Sequence, residues 1–226
     1  MMALEAEVLG AVTAGTQRLE AASVRECGER ASAKSFLQSR PAGVYTCARA
    51  RGEGATLEPR RELVEWSFHL RRLRGGLALV DRNTGRDKLK LDKLAAATEL
   101  LAARVLAQWE QSEIVDGMLS VLWYALPDAA DYAVAVHICP MPTPKCLAST
   151  VLVFGEGRDN ARCKHTKWIE DRVPIEEHVA RLVEARGEPI HEVLLSKAGG
   201  GGDRLLLEGL ITNFFVGSCC CRGAGR

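Results

Sequence analysis

Residues 208–216 read EGLITNFFV, and residues 162–168 read RCKHTKW. The first stretch puts a carboxylate, Glu208, and an amide, Asn213, at a turn between two apolar runs. Burial there is costly unless each group finds a partner. The second stretch sets Lys164 and His165 in a basic segment. Two readings stay open on the residues alone: a structural Glu capping a turn with Lys164 as a solvated surface residue, or a site that needs both a carboxylate and an amine. Just upstream, the apolar runs at 193–196 and 205–207 flank the glycines at 199–202, which predicts a hairpin with a flexible tip. Four glycines in a row also suggest an anion cradle, because bare backbone amides can hold a phosphate. That context is missing: the run leads into a strand-like LLLE, with no GKS/T and no helix behind it.

Working outward, Pro140, Pro142 and Pro144 lie within five residues and preclude a helix or central strand, which marks a linker at 140–145. Beyond it the pattern predicts a strand over 149–154, a short helical stretch over 164–172 and a helix over 175–185 begun just after Pro174. Before it, VYTCAR at 44–49 reads as a strand entered from the turn residues Pro41 and Gly43. Leu63, Trp66, Leu70, Leu73 and Leu77 form the apolar stripe of a helix, as do Leu91, Leu94, Thr98, Leu101 and Val105 after the turn-like Asn83-Thr84-Gly85. MLSVLWYAL at 118–126 and YAVAVHI at 132–138 are apolar runs around Pro127-Asp128, consistent with adjacent strands. The resulting division is a helical extension at 1–35, an α/β domain at 36–139, the linker, and a second α/β domain at 146–226.

Composition excludes several classes. With 47% hydrophobic and 26% charged residues the chain has ordinary globular content. The 30 Lys and Arg nearly cancel the 29 Asp and Glu, a net charge of +1, so no global field recruits nucleic acid or an anionic membrane. No apolar run approaches the roughly 18 residues that span a bilayer. No nucleic-acid or membrane partner is therefore expected. The acidic N-terminus argues against a transit peptide. The eight cysteines show no CxxC spacing. A zinc set of His137, Cys139, Cys146 and Cys163 lacks the spacing of structural sites, so no metal is expected. Reduced thiols imply an intracellular location, the cytoplasm by default, with a plastid left open.

EGLITNFFV resembles the EG-x-x-x-N-x-F motif of the class IV aminotransferases, the pyridoxal phosphate enzymes of fold type IV. GVYTCAR at 43–49 resembles the early strand of that family, FHLRRL at 68–73 its HL-x-RL helix, and KH at 164–165 its Schiff-base lysine, especially in the aminodeoxychorismate lyase branch. The four motifs stand in the family's order. The resemblance implies a two-domain α/β fold of the D-amino acid aminotransferase type, with the second domain incomplete, and pyridoxal 5'-phosphate as cofactor. It implies that Lys164 is the catalytic amine, since a partly desolvated amine is freed to condense with the cofactor aldehyde. Glu208 would meet the pyridine nitrogen and favour its protonated form. Arg72 would hold the phosphate, Asn213 would complete the cofactor set, and Tyr45 and Arg49 would face the substrate. The implied reaction is transamination between an amino acid and a keto acid in a homodimer. Aminodeoxychorismate lyase-like elimination and a catalytically inactive truncated remnant are the alternatives.

Three departures qualify the implication. The interval from Lys164 to Glu208 is longer than the family's, an effect of the glycine run. Trp168 and Ile169 stand where relatives carry a group for the cofactor's phenolic oxygen. The chain also ends in the cysteine-rich SCCCRGAGR soon after the NFF stretch, which predicts a second domain cut short, without the family's Gly/Thr-rich phosphate contact.

Overall fold

The computed structural model describes residues 3–13, 22–28, 31–52, 61–109, 116–127, 131–142, 150–158, 161–200, 203–212 and 214. The chain divides into two compact units, Met1–Thr143 with Asn160–Asp171, and Pro144–Asp159 with Arg172–Arg226. Residues 160–171, expected in the second domain, fall in the first unit, where residues 164–166 pair with its sheet and Ile169 joins its smaller core. Residues 143–145 of the expected linker lie outside the described residues, and Pro140 itself ends a strand.

The first unit is built on an antiparallel six-stranded sheet in the order β2-β1-β6-β5-β3-β4. Its strands are β1 (Ala3–Val8), β2 (Val24–Cys27), β3 (Gly43–Gly52), β4 (Arg61–Leu63), β5 (Asp116–Ala125) and β6 (Tyr132–Pro140). The apolar runs at 118–126 and 132–138 are neighbouring strands, with Leu119 opposite Ile138 and Val121 opposite Val136. Every residue from Tyr132 to Cys139 is buried, so both faces of β6 are covered and the run reads as continuous rather than alternating.

The N-terminal segment corrects the expected helical extension. Ala3–Val8 is a strand, and only Ala33–Gln38 (α1) is helical among the described residues before 39. Ala, Leu and Glu favour helix locally, but Leu4, Ala6 and Val8 alternate with Glu5 and Glu7 at a period of two. The apolar set is buried, and the two carboxylates on the other face are held by Arg40, at 3.1 Å from Glu5 and 3.0 Å from Glu7. Tertiary burial overrides propensity in so short a segment.

Helices α2 (Trp66–Val80) and α4 (Lys88–Trp109) cover one face, where Leu73, Leu77, Leu94, Leu101 and Val105 join Leu4, Val44, Leu119 and Val136 in the main core. Thr98, read from the sequence as part of an apolar stripe, is buried there because it accepts a 2.8 Å bond from the Trp123 indole and donates to the Leu94 carbonyl at 2.7 Å. The turn-like Asn83-Thr84-Gly85 is the short helix α3 (Arg82–Arg86), capped by Asp81, which accepts from the Asn83 and Thr84 amides. On the other face Phe36, Leu37, Leu122, Tyr124, Ala135 and Ile169 form a smaller core, with Ile169 supplied by α5 (Lys167–Asp171).

The second unit carries a three-stranded sheet in the order β7-β8-β9, from β7 (Val151–Val153), β8 (Glu192–Ala198) and β9 (Arg204–Gly209). β7 and β8 are parallel, so a crossover is required. Helix α6 (Val173–Arg186) lies on it, started by Pro174 and stopped by Gly187 in the left-handed region. β8 and β9 form the expected antiparallel hairpin. Residues 201 and 202 of its tip, Asn213, and residues 215–226 lie outside the described residues.

Candidate functional site

Lys164 is placed by a short strap on the first unit's sheet. Its carbonyl accepts the Tyr45 amide at 2.8 Å, the Thr166 amide donates to the Gly43 carbonyl at 2.9 Å, and the Gly43 amide donates to Thr166 Oγ1 at 3.0 Å. Between these bonds Val44 and His165 form an antiparallel bridge. β3 therefore has β5 on one side and residues 164–166 on the other at its start. Only glycine fits at 43, since a Cβ there would stand 2.1 Å from the Trp123 carbonyl oxygen. The strap sets the half-buried Lys164 with Nζ 5.5 Å from the centre of the Tyr45 ring, within cation–π range.

From the same strand, the buried Thr46 reaches α2, where its hydroxyl and His69 Nδ1 share a 2.7 Å hydrogen bond. Arg72 follows three residues later, on the same side of the helix. Its guanidinium carbon stands 4.9 Å from the centre of the Phe68 ring. Burial, then the charge of Arg72, then that of Lys164 hold the His69 pKa below its ordinary value. Its neutral form is thereby favoured, in a locally cationic corner. His165 is pushed in the same direction by burial and by Lys167, and its Nδ1 accepts the Lys167 amide at 3.2 Å.

Arg49 lies four residues beyond Tyr45, about 13 Å along the strand. Its guanidinium is paired two-toothed with Asp116 at the sheet surface, the two side chains 43% and 37% exposed. Among the expected residues, the first unit thus brings Tyr45, Arg72 and Lys164 into one neighbourhood and leaves Arg49 out of it. Ile169 is buried in the smaller core.

In the second unit Glu208 sits near the end of β9 opposite Leu195. Arg158 grips it: Nε donates to Oε1 at 3.0 Å and to Oε2 at 3.3 Å, and Nη2 donates to Oε2 at 3.1 Å. A tight turn delivers Arg158, with Gly155 at φ +81° and its carbonyl accepting the Ser196 amide at 3.2 Å. The carboxylate that caps the following turn is a different one. Glu192 accepts the Thr212 amide at 2.8 Å and the Ile211 amide at 3.4 Å. Asn213 lies outside the described residues.

Sequence reasoning assigned no role to His69, Arg158 or Glu192. His69 lies within FHLRRL at 68–73, and its spacing of three from Arg72 is the available signal. Arg158 and Glu192 had none, since a lone arginine or glutamate in a polar loop reads as solvated surface. Among the described residues no three His, Cys, Asp or Glu side chains gather in a metal-holding group. No helix there is long and apolar enough to cross a membrane.

No protein-family model matches the sequence, and no curated protein matches it significantly. Solved structures do resemble it in fold. A fold IV-transaminase from Curtobacterium pusillum aligns with TM-score 0.56 at 13% identity, over 93% of this chain and 67% of that one. A hypothetical aminotransferase from Mycobacterium tuberculosis in its PLP-bound form aligns with TM-score 0.54 at 16% identity, over 91% and 65%. A branched-chain amino acid aminotransferase from Thermobaculum terrenum aligns with TM-score 0.51 at 16% identity, over 75% and 51%. This chain spans 65% of the length of the Mycobacterium tuberculosis protein. With its antiparallel first sheet, its smaller second sheet and these neighbours, the chain has the α/β fold of the fold type IV aminotransferases, with the second domain only partly represented.

Proposed function

We propose that the chain is a pyridoxal 5'-phosphate-dependent aminotransferase of class IV type, acting on an amino acid through Lys164. The observation that carries this reading is the strap. It holds a half-buried amine over an aromatic ring, on the strand that also positions His69 and Arg72 through Thr46 and α2.

The residues fit the cofactor. Arg72 and Lys164 both act electrostatically on His69, so the corner is cationic and suits an anionic phosphate. Glu208 receives three contacts from Arg158, and a carboxylate offers about four lone-pair sites, so an acceptor position remains for a ring N–H. When bound, the cofactor supplies an electron sink for the charge left on the substrate's α-carbon. In this reading Lys164 would hold the cofactor through its Nζ and would serve as the general base that moves the substrate's α-proton. The Arg72 guanidinium orients the phosphate, and Glu208 holds the proton on the ring nitrogen. Asn213, outside the described residues, would complete the cofactor set. Tyr45 borders the substrate next to Lys164, whereas Arg49 does so only by leaving Asp116.

Borohydride reduction of purified, cofactor-treated protein followed by peptide mapping tests the proposal. A reduced cofactor adduct on the Lys164 peptide, absent in Lys164→Ala, is expected; an unmodified Lys164 peptide from folded material refutes it.

A second reading, an inactive remnant, draws on the exposed apolar side chains of the smaller sheet, Val151, Val153, Leu205, Leu206 and Leu207. A folded protein that stays colourless with the cofactor would favour it. Pairing of two copies is part of the proposal, supported by the exposed Phe68, Leu79, Val80 and Leu89 of the first unit; light scattering decides it.

A further inference from the structure

We propose that Arg158 is a positioning residue that sets how strongly Glu208 holds a proton on the cofactor's ring nitrogen. The inference rests on the reading of Glu208 as the pyridine partner and goes beyond it. A planar guanidinium bound two-toothed fixes the plane of a carboxylate as well as its place. Here both side chains are largely withdrawn from solvent, 15% exposed for Arg158 and 24% for Glu208. The fork spans Oε1 and Oε2 at 3.0–3.3 Å, so Glu208 cannot rotate without breaking a contact. Gly155 and the Ser196-to-Gly155 hydrogen bond hold the loop that presents Arg158, which makes the pairing a product of the fold rather than of a free surface arginine.

The chemical consequence follows from charge. A carboxylate whose negative charge is shared with a guanidinium pulls less strongly on a third proton, and the guanidinium also disfavours a second cation close by. The ring nitrogen is therefore held at a lower proton affinity than a lone glutamate would give it. Removing Arg158 raises that affinity. Replacing it with lysine keeps the positive charge but loses the fork.

The full chain loaded with cofactor labelled with 15N in the ring supplies the test. The 15N chemical shift is followed against pH in wild type, Arg158→Met, Arg158→Gln and Arg158→Lys, so that one folded neutral variant is enough. Borohydride trapping at Lys164 is run on each sample. We expect the pH at which the ring nitrogen loses its proton to rise by about one unit or more in the neutral variants, and Arg158→Lys to stay near wild type. Trapping at Lys164 with superimposed titrations of wild type and neutral variants overturns the inference alone. A shift in Arg158→Lys equal to that in the neutral variants also overturns it, since charge would then not be the cause. Failure of trapping in wild type overturns the reading of the site and this inference with it.

Discussion

Replacing Thr166 by valine removes one hydroxyl from the strap that carries Lys164 and changes side-chain volume little. The Gly43 amide then loses its 3.0 Å acceptor at a buried position. An unsatisfied buried N–H costs about 1–3 kcal/mol. The backbone bonds from Tyr45 to Lys164 and from Thr166 to Gly43 remain, so the loss falls on local opening of the strap and leaves the rest of the sheet paired. Converted at RT of about 0.59 kcal/mol, it raises the equilibrium for opening about 5- to 150-fold. Hydrogen exchange read at the Tyr45 amide measures it directly, because that amide is protected by the Lys164 carbonyl. Thr166→Ser, which keeps the oxygen, is expected to exchange close to wild type. Unchanged protection of Tyr45 in Thr166→Val would show that the hydroxyl does not secure the strap and would refute the account of how Lys164 is held.

His69 is expected to titrate below its ordinary value of 6.5 in a pH series of ring NMR signals. Arg72→Gln should move that midpoint up, yet leave it under 6.5 because burial, the largest cause, persists; a midpoint that stays or falls contradicts the cationic corner. Asp81 is held down to about 2, chiefly by the Tyr132 hydroxyl, which donates at 2.6 Å. Its folded-state value lies below the unfolded 3.8, so its stabilisation is fully present above about pH 4 and is lost as pH falls through about 2. The stability gap between wild type and Tyr132→Phe in urea should therefore be widest near neutrality and narrow over that acid window, and a gap independent of pH would count against the assignment.

Much of the candidate site was legible because its motifs sit on strongly periodic elements. Trp66, Leu70, Leu73 and Leu77 announced the helix that carries His69 and Arg72, although Leu63 of the same stripe ends β4, and VYTCAR announced the strand that carries Tyr45 and Thr46. Partners distant in sequence were not legible. Arg158 meets Glu208 only because the segment after β7 continues beside β8, through the Phe154-to-Leu194 and Ser196-to-Gly155 bonds, and the Glu that caps the turn is Glu192.

Local pattern by itself determined the two long helices, the paired apolar strands and the hairpin around the glycines, since each buries a face whose period is written in adjacent residues. Tertiary structure alone decided that Ala3–Val8 is a strand, that residues 164–166 return to the first sheet, and that Arg49 is tied to Asp116. Those outcomes depend on groups far apart along the chain. A buried apolar face, a backbone hydrogen bond or a paired charge acquires its energy only when folding brings the second partner within reach.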